Sequence, residues 1–413
     1  MSIFVEFHAL RSFPPSNLNR DDLGSPKTAV FGGVRRLRVS SQCLKRTWRM
    51  SETFRGDFAE EELGVRTARL PEQVLNTLGT ALSNEARAGL QSLLGSLGKK
   101  AASKREEGDE DTERPDEAET PATGGDETRT AHLLFLSRQE IDAVGDFARE
   151  HAEALAALGK KKVDAKATDA LRKRLEEFLV TRTSRNAVDV GLFGRFVTSD
   201  EFDTIDGALQ VAHGLGTQKV EVEYDYFTAV DDLGEGPGAG HLGETEFASS
   251  VLYLYACCDL SQLEKNLGRR TSGSREPDAE AQDLARKGLS AVARAMAEAT
   301  PKGKKTGTAP YTPAEYVEVV VRRGAPLSFA NAFIKPVAAR EHDGDVTAAS
   351  IARLIGHRNR IESAYGRDRD VVARFVLCLR DVEGAVATGH QVNTLAELTA
   401  QLSAALQGEE AGV

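Results

Sequence analysis

The 413-residue sequence is poor in cysteine, has no long apolar run and contains no internal repeat. Four cysteines are too few for a disulfide framework, so we expect reduced thiols in a cytoplasmic protein. No stretch of about 18 or more uncharged apolar residues occurs, which argues against a membrane-spanning helix. The N-terminal segment has no basic region before an apolar one, so we do not expect a secretory signal.

Motifs typical of catalytic and cofactor sites are also missing. The cysteines and the eight histidines show none of the spacings at which these residues bind metals. The sequence contains no P-loop, dinucleotide fingerprint, nucleophile elbow or zinc-protease motif. We therefore expect no enzymatic activity, no metal and no cofactor.

Charge is distributed very unevenly along the chain. The net charge is −10, from 53 basic and 63 acidic residues. Residues 106–127 contain eleven acids and one base, and without them the chain has 52 of each. By contrast, the run from Lys27 to Arg49 contains seven bases and no acid, and a second basic loop lies at 299–312. The acidic segment alone sets the net charge, so the total does not argue against a nucleic-acid partner.

The hydrophobic pattern predicts an α+β fold. Strands and helices interleave without a regular βαβ rhythm, which favours an antiparallel sheet interrupted by a long helical insertion. Residues 99–130 have almost no large apolar residue and are predicted to be disordered, and 220–245 are predicted to be irregular. The predicted strands are 3–10, 34–39, 189–198, 247–257, 316–321 and 371–379. The predicted helices are 41–53, 60–98, 132–180, 205–215, 277–298, 346–364 and 394–406.

The helix predicted at 41–53 carries a stripe of polar and basic side chains. At about 100° per residue, Leu44 and Trp48 fall on the opposite, apolar face. Such a stripe suits a phosphate chain, and the helix N-terminus is expected to add free backbone N–H groups. A solvated helix that pairs with acids elsewhere explains the same pattern, but the absence of acids nearby favours phosphate binding. The stripe consists of Gln42, Lys45, Arg46 and Arg49.

Three other segments are weaker candidates for function. Asp21 and Asp22 could hold a metal or act as acid and base, although capping of a turn is the commoner use of such a pair. The segment 194–199 offers an arginine and small hydroxyls at the end of a predicted strand. The aromatic residues in 224–228 are candidates for stacking on bases, and packing under a loop is the alternative.

Five segments are long and unusual enough to indicate a family. They are SNLNRDDLGSPKTAVFGGVRRLRVSSQCLKRTWR (16–49), GLFGRFVTSDEFDTIDGALQVAHGLGTQ (191–218), DYFTAVDDL (225–233), AGHLGETEFASSVLYLYA (239–256) and PLSFANAF (326–333). In this order they closely resemble the CasC family, the repeated backbone subunit of the type I-E CRISPR surveillance complex, Cascade.

The resemblance implies a fold and a division into parts. The family fold is an RRM-like (ferredoxin-like) palm with an antiparallel sheet, a helical fingers insertion and a protruding thumb loop. By this resemblance, residues 1–60, 187–219 and 246–413 form the palm, 61–186 the fingers and 220–245 the thumb. The acidic insert at 99–130 lies in the fingers and has no clear counterpart in the family.

The resemblance also implies a function and partners. Several copies are expected to stack into a helical filament along one CRISPR RNA, together with other Cascade subunits. Each palm would hold the RNA backbone without sequence specificity, and each thumb would displace one base at a fixed interval. The bases between thumbs would pair with a target DNA strand in antiviral defence, and the subunit itself would not be a nuclease.

The family's functional positions carry over residue by residue. Phe196 stands where the family often has Met, and Tyr226 where it often has Trp, so both keep a large wedge. The implied RNA-binding residues are Arg20, Lys27, Ser40, Gln42, Lys45, Arg46, Arg49, Thr198 and Ser199. The implied thumb and base-displacing residues are Phe196, Tyr226, Phe227, His241 and Leu242.

Two alternative functions remain open on the sequence. One is a type III-like backbone subunit that cuts target RNA with Asp21 or Asp22. The other is a general single-stranded RNA-binding scaffold outside CRISPR, against which the long match at 16–49 argues.

Overall fold

A computed structural model divides the chain into two compact units. The first comprises Met1–Asp57, Gln210–Leu260 and Leu289–Val413, and the second comprises Phe58–Leu209 and Ser261–Gly288. The predicted palm included 187–209 and 261–288, which here belong to the second unit. The structure describes residues 2–95, 97, 129–130, 132–160, 165–197, 201–230, 239–271, 274–382, 384 and 389–410.

The described residues form a mixed α+β architecture. The strands are β1 Ile3–Ser16, β2 Thr28–Phe31, β3 Val34–Val39, β4 Val65–Thr67, β5 Leu134–Leu136, β6 Leu209–Val211, β7 Gly214–Gly216, β8 Glu223–Val230, β9 Ala239–Asp259, β10 Arg269–Thr271, β11 Ser274–Glu276, β12 Tyr316–Arg323, β13 Val371–Cys378 and β14 His390–Gln391. The helices are α1 Ser41–Arg49, α2 Glu52–Arg55, α3 Leu70–Leu78, α4 Asn84–Gly95, α5 Arg138–Glu150, α6 Ala152–Lys160, α7 Ala165–Arg182, α8 Val188–Phe193, α9 Leu260–Leu267, α10 Ala279–Glu298, α11 Lys305–Thr308, α12 Val346–Tyr365 and α13 Leu395–Glu410. None of these helices has both the length and the apolar character needed to cross a membrane.

The first unit is built on one large sheet. Its strands follow the order β14-β13-β12-β1-β9-β7-β3-β2, with β13 and β14 parallel and the other pairs on this path antiparallel. The central strand β1 pairs with β12 from Ile3 to Leu10 and with β9 on its other side. Because β1 is buried on both faces, its apolar set Val5, Phe7 and Ala9 is fully inaccessible.

Buried charges occupy the other face of the same strands. Arg322 donates from Nε to Glu6 Oε2 at 3.1 Å and from Nη2 to Glu362 Oε1 at 2.7 Å. Arg358 donates from Nη1 to Glu318 Oε1 at 2.8 Å. The opposite charges are present in equal number and are paired, which burial of ions requires. This network consists of Glu6, Glu318, Arg322, Arg358, Glu362 and Arg374 and joins β1, β12, β13 and α12.

The segment 326–333, which carries one of the family motifs, packs on this sheet. The backbone N–H of Phe329 donates to the hydroxyl of Tyr253 at 3.2 Å, and His8 accepts or donates at the same hydroxyl at 2.9 Å. The ring of His8 stacks on Phe329 with centroids 4.9 Å apart. Phe329 and Phe333 are fully buried. This motif therefore has a structural role in the core of the first unit.

The second unit is mainly helical, around a leucine-rich core that includes Leu90, Leu155 and Leu175. Helices α4 and α6 approach each other very closely at two glycines. A Cβ atom on Gly89 would lie 1.9 Å from the carbonyl oxygen of Leu155, and one on Gly159 would lie 2.1 Å from that of Glu85. Only glycine permits this approach of the two backbones.

The predicted strands 3–10, 34–39, 247–257, 316–321 and 371–379 are confirmed, as are the helices that begin near residues 41, 277, 346 and 394. The segments 60–98 and 132–180 are largely helical where described, but they also contain the paired strands β4 and β5. Residues 99–128 of the predicted disordered insert 99–130 lie outside the described residues.

Three predictions of secondary structure are wrong. Residues 205–215 form no helix, because β7 pairs with β3 and β9 and the N–H of Ala212 bonds to Tyr255. Residues 189–198 contain helix α8 in place of a strand, since a short apolar run fits either structure. The prediction that 220–245 are irregular is wrong for 223–230 and 239–245, which pair as the β8–β9 hairpin. Residues 223–228 of β8 are all exposed and lack the alternation of a half-buried strand.

Candidate nucleic-acid interface

Helix α1 is fixed to the first unit by its apolar face. Leu44 and Trp48 are buried, as the helical wheel predicts. The hydroxyl of Ser40 caps the helix by accepting the N–H of Cys43 at 3.2 Å. The helix ends at Arg49, and the short helix α2 follows after a new cap at Ser51. The side chains on the other face of α1 are thus held by a helix that is packed firmly against the first unit.

The predicted stripe is only partly open to solvent. Gln42 and Arg46 are exposed, whereas Lys45 is half-buried and burial lowers the pKa of its ammonium group. Arg49 is 7% exposed and belongs to the buried side of the helix. A wheel drawn from the sequence places all four on one face, but only Gln42 and Arg46 extend fully into solvent.

The helix N-terminus does not offer the free N–H groups that we expected at residues 40 and 41. The N–H of Ser40 donates to Asn19 Oδ1 at 2.8 Å, and the N–H of Ser41 donates to His213 Nδ1 at 2.9 Å. The N–H of Cys43 is taken by Ser40. These three donors are therefore occupied by atoms of the protein.

The loop between β1 and β2 is held by its own polar side chains. Asp21 Oδ1 accepts the N–H groups of Leu23 at 3.0 Å and Ser25 at 2.9 Å, which is the geometry of a capped turn. Arg20 is exposed, whereas Lys27 is 9% exposed and its N–H donates to the carbonyl of Asn19 at 2.8 Å. The turn function predicted as the commoner one for Asp21 is the one that the structure has.

Strand β3 places its neighbouring arginines on opposite sides. Arg35 is exposed and donates to the hydroxyl of Thr28 at 3.1 Å. Arg36 is fully buried and donates to backbone carbonyl groups of β7 and the 333–334 turn, and burial lowers its pKa. Arg36 is therefore a structural residue, and Arg35 extends the exposed basic surface. We call the exposed arginines Arg20, Arg35 and Arg46, together with the exposed amide of Gln42, the exposed basic set.

The β8–β9 hairpin carries exposed aromatic side chains. Tyr224 and Tyr226 are 60% and 68% exposed and lie opposite Glu246 and Glu244. Phe227 lies opposite Gly243, and a Cβ atom on this glycine would be 2.3 Å from the Phe227 ring. The two tyrosines thus share one face of the hairpin, and the Phe227 ring covers the other at Gly243.

The remaining predicted residues are placed as follows. Phe196 belongs to the second unit and is 71% exposed. Thr198 and Ser199 lie outside the described residues. His241 and Leu242 are part of β9, where their backbones pair with Ala229 and Thr228.

Sequence reasoning missed the residues that hold this surface in shape. Asn19 and His213 close the start of α1, and Arg36 anchors β3. No local sequence signal reveals them, because each acts on a partner that is distant along the chain. Within the ranges that the structure describes, no group of three or more His, Cys, Asp or Glu side chains could hold a metal ion.

Comparisons with known proteins give consistent matches along the chain. A family model described as CT1975-like protein matches residues 5–402. A chain of a solved "CRISPR RNA-guided surveillance complex, pre-nicking" is 30% identical, with 97% of this chain and 100% of that chain covered and a TM-score of 0.73. A chain of a "CRISPR RNA-guided surveillance complex" is 25% identical, with 97% and 99% covered and a TM-score of 0.65. Comparison with curated proteins gave no match.

Proposed function

Because the chain belongs to the family of CT1975-like proteins, we propose that it is a backbone subunit of a CRISPR RNA-guided surveillance complex. The solved chains that it matches over nearly their whole length come from complexes of that kind. The partners proposed for this chain are therefore a CRISPR RNA and the other subunits of such a complex. In this role the chain binds RNA and performs no cleavage.

One observation carries the RNA-binding part of the proposal. The exposed basic set lies within or beside a run of 23 residues, Lys27 to Arg49, that contains no acid. Buried Leu44, Trp48 and Arg36 fix the elements that present it. Arg35, Gln42 and Arg46 lie inside the acid-free run, and arginine and amide side chains on a rigid support suit the phosphates of a single strand. Arg20 lies outside the run and is followed by the exposed Asp21 and Asp22.

The finer proposal follows the resemblance to the CasC family. The complex is of type I-E, the palm is RRM-like, and copies of the chain stack into a filament along one CRISPR RNA. The β8–β9 hairpin acts as the thumb, and the guide bases between thumbs pair with the target DNA strand. Native mass spectrometry of the assembled complex tests this, since stacking requires several copies of the chain for each RNA.

The decisive experiment compares two double variants expressed together with a CRISPR RNA. Arg20→Ala with Arg46→Ala removes two exposed cations of the interface. Arg174→Ala with Arg340→Ala removes two exposed cations elsewhere and serves as the control. We expect the first pair to lose co-purifying RNA, seen as a lower ratio of absorbance at 260 to 280 nm, and the control to retain it.

The salt dependence of RNA binding adds a quantitative criterion. The slope of log K against log salt is negative, and loss of two phosphate contacts reduces its magnitude by about 1.4 for a single strand. If the interface variant keeps the wild-type affinity and slope, the assignment of the exposed basic set is wrong. RNA of many unrelated lengths and sequences in the purified protein would instead favour a general RNA-binding scaffold.

A further inference from the structure

A second basic element lies in the first unit, at the loop 299–314. The loop contains Lys302, Lys304 and Lys305 and no acidic residue. Lys302 and Lys304 are exposed. The ammonium group of Lys305 lies 4.9 Å from the centroid of the Tyr311 ring, which holds this lysine beside the loop. The positively charged side chains of Lys302 and Lys304 are thus exposed to solvent.

The two ends of this loop are clamped by one buried arginine. Arg11, which is 1% exposed, donates to the carbonyl oxygens of Glu298 at 3.1 Å and Ala299 at 2.6 Å on one side. On the other side its Nε donates to the carbonyl oxygen of Thr312. No carboxylate accepts from this guanidinium in these bonds, and burial lowers the pKa of Arg11 to about 10. The buried guanidinium of Arg11 thus holds the two ends of the loop together.

The tip of the loop rests on the start of the segment that connects β1 to β2. A Cβ atom on Gly303 would lie 2.4 Å from the carbonyl oxygen of Asn17 and 2.5 Å from that of Leu18. Asn19 follows Leu18, and its Oδ1 accepts the backbone N–H of Ser40, the N-cap residue of α1. The lysines on either side of Gly303 are therefore joined to the exposed basic set through a short series of direct contacts.

We propose that Lys302 and Lys304 form a second phosphate-binding element, which contacts the backbone of the same single-stranded RNA as the exposed basic set. This inference rests on the proposed function and adds a site to it. The loop is held closed at its base and contacts residues 17 and 18 at its tip, so the backbone that carries the two lysines is positioned before RNA arrives. Lysine contributes point charges there, with no requirement for one base sequence.

The first test removes charge. The full-length Lys302→Ala/Lys304→Ala variant is titrated with a fluorescein-labelled single-stranded RNA over a series of salt concentrations. We expect weaker binding and a shallower dependence on salt, with the magnitude of the negative slope of log K against log salt reduced by about 1.4. Lys173→Ala/Lys265→Ala removes two exposed lysines of the second unit and is expected to leave the slope unchanged. An unchanged slope in the first variant overturns the proposal.

The second test moves the loop without changing its charge. Gly303→Ala places a Cβ atom against backbone oxygens, so the tip must shift away from residues 17 and 18. Gly307→Ala adds the same methyl group in the same loop, where no atom lies within 4 Å. We expect Gly303→Ala to weaken RNA binding and Gly307→Ala to bind as the wild type does. Equal RNA binding by both variants would show that the contact of Gly303 with residues 17 and 18 has no role in RNA binding.

These experiments distinguish contact with RNA from contact with DNA. They also distinguish failure of this inference from failure of the proposed function. If the lysine variant binds guide RNA normally but captures a complementary DNA strand poorly, the loop contacts DNA and the proposal for RNA is wrong. If Arg20→Ala/Arg46→Ala loses RNA and the lysine variant does not, only this inference fails. If wild-type protein binds no RNA, the proposed function fails as well.

Discussion

The guanidinium of Arg36 donates from Nη1 to the carbonyl oxygen of Thr217 at 2.8 Å, in the interior of the first unit. The same side chain also bonds to the carbonyl oxygens of Gly216, Phe333 and Ile334. This arginine fixes which face of β3 is buried, and Arg35 consequently points to solvent. Of two adjacent arginines, Arg36 thus stabilises the fold, and Arg35 is left exposed for the proposed interface.

The first prediction concerns this pair of arginines. Arg36→Leu leaves buried carbonyl groups without donors, and we expect a loss of about 3 kcal/mol in the free energy of unfolding. Arg35→Ala changes stability by about 0.5 kcal/mol or less but weakens RNA binding. Urea unfolding and an RNA titration measure the two effects. Equal loss of stability in both variants would contradict the assignment.

The same pair shows how far the sequence predicts the interface. The acid-free run identifies the segment in which the structure exposes Arg35, Gln42 and Arg46, because charge composition is visible without any knowledge of contacts. Whether a given cation is buried depends on partners that are distant along the chain, as with Arg36 and Thr217. For the same reason the helical wheel placed Arg49 with Arg46, although Arg49 is buried.

The fold was predicted best where local pattern and tertiary contacts agree. β1 alternates apolar and polar residues and is a strand, and the Ala-rich α10 is a helix. In 205–215 the apolar spacing matches a helix, but pairing with the long strand β9 determines the structure. Likewise, no local signal shows that Glu6 and His8 are buried, since distant arginines and aromatic rings make their burial possible.

The second prediction concerns Glu318 of β12, which belongs to the buried network of charged side chains. Burial opposes ionisation of Glu318, but Arg358 and Arg374 outweigh it and lower its pKa to about 2. A carboxylate with a lowered pKa in the folded state stabilises the protein above the unfolded pKa, and this contribution is lost as pH falls towards 2. We expect a loss of about 3 kcal/mol between about pH 5 and pH 2 from this group.

Glu318→Gln tests the origin of that pH dependence. The variant leaves two buried guanidinium groups without this carboxylate, and we expect it to be destabilised by about 3–5 kcal/mol at pH 7. Its stability should depend less steeply on pH below 5. The partly exposed Glu315, which pairs with Arg380, is the control, and Glu315→Gln should cost about 1 kcal/mol or less. A Glu318→Gln protein with the wild-type acid transition would exclude Glu318 as its source.

The third prediction separates turn formation from cleavage at Asp21. Asp21→Ala removes two hydrogen bonds from the loop that carries Arg20, so we expect a loss of about 1 kcal/mol and weaker RNA binding. Asp22 is exposed, and Asp22→Ala is expected to have neither effect. The assembled complex is also incubated with complementary RNA and Mg²⁺, which we expect to stay intact. Regular cleavage that either substitution abolishes would favour the type III-like alternative.

The fourth prediction concerns the displacement of guide bases, which is proposed for the β8–β9 hairpin. Tyr226 is the stronger candidate of the two adjacent aromatic residues, because the Phe227 ring covers Gly243 on the opposite face. An exposed aromatic ring can separate neighbouring bases by inserting its apolar surface between them. We expect Tyr226→Ala to abolish the periodic reactivity of guide nucleotides to 2′-hydroxyl acylation, and Tyr226→Trp to retain it.

Tyr224 provides the matched control for that experiment. It lies on the same face of the hairpin, two residues nearer to the large sheet, and is similarly exposed. Tyr224→Ala therefore removes an equal aromatic surface from a different height on the hairpin. If reactivity stays periodic in Tyr224→Ala and disappears in Tyr226→Ala, position along the hairpin determines the wedge. If both variants lose it equally, the aromatic face as a whole orders the guide, and no single residue acts as the wedge.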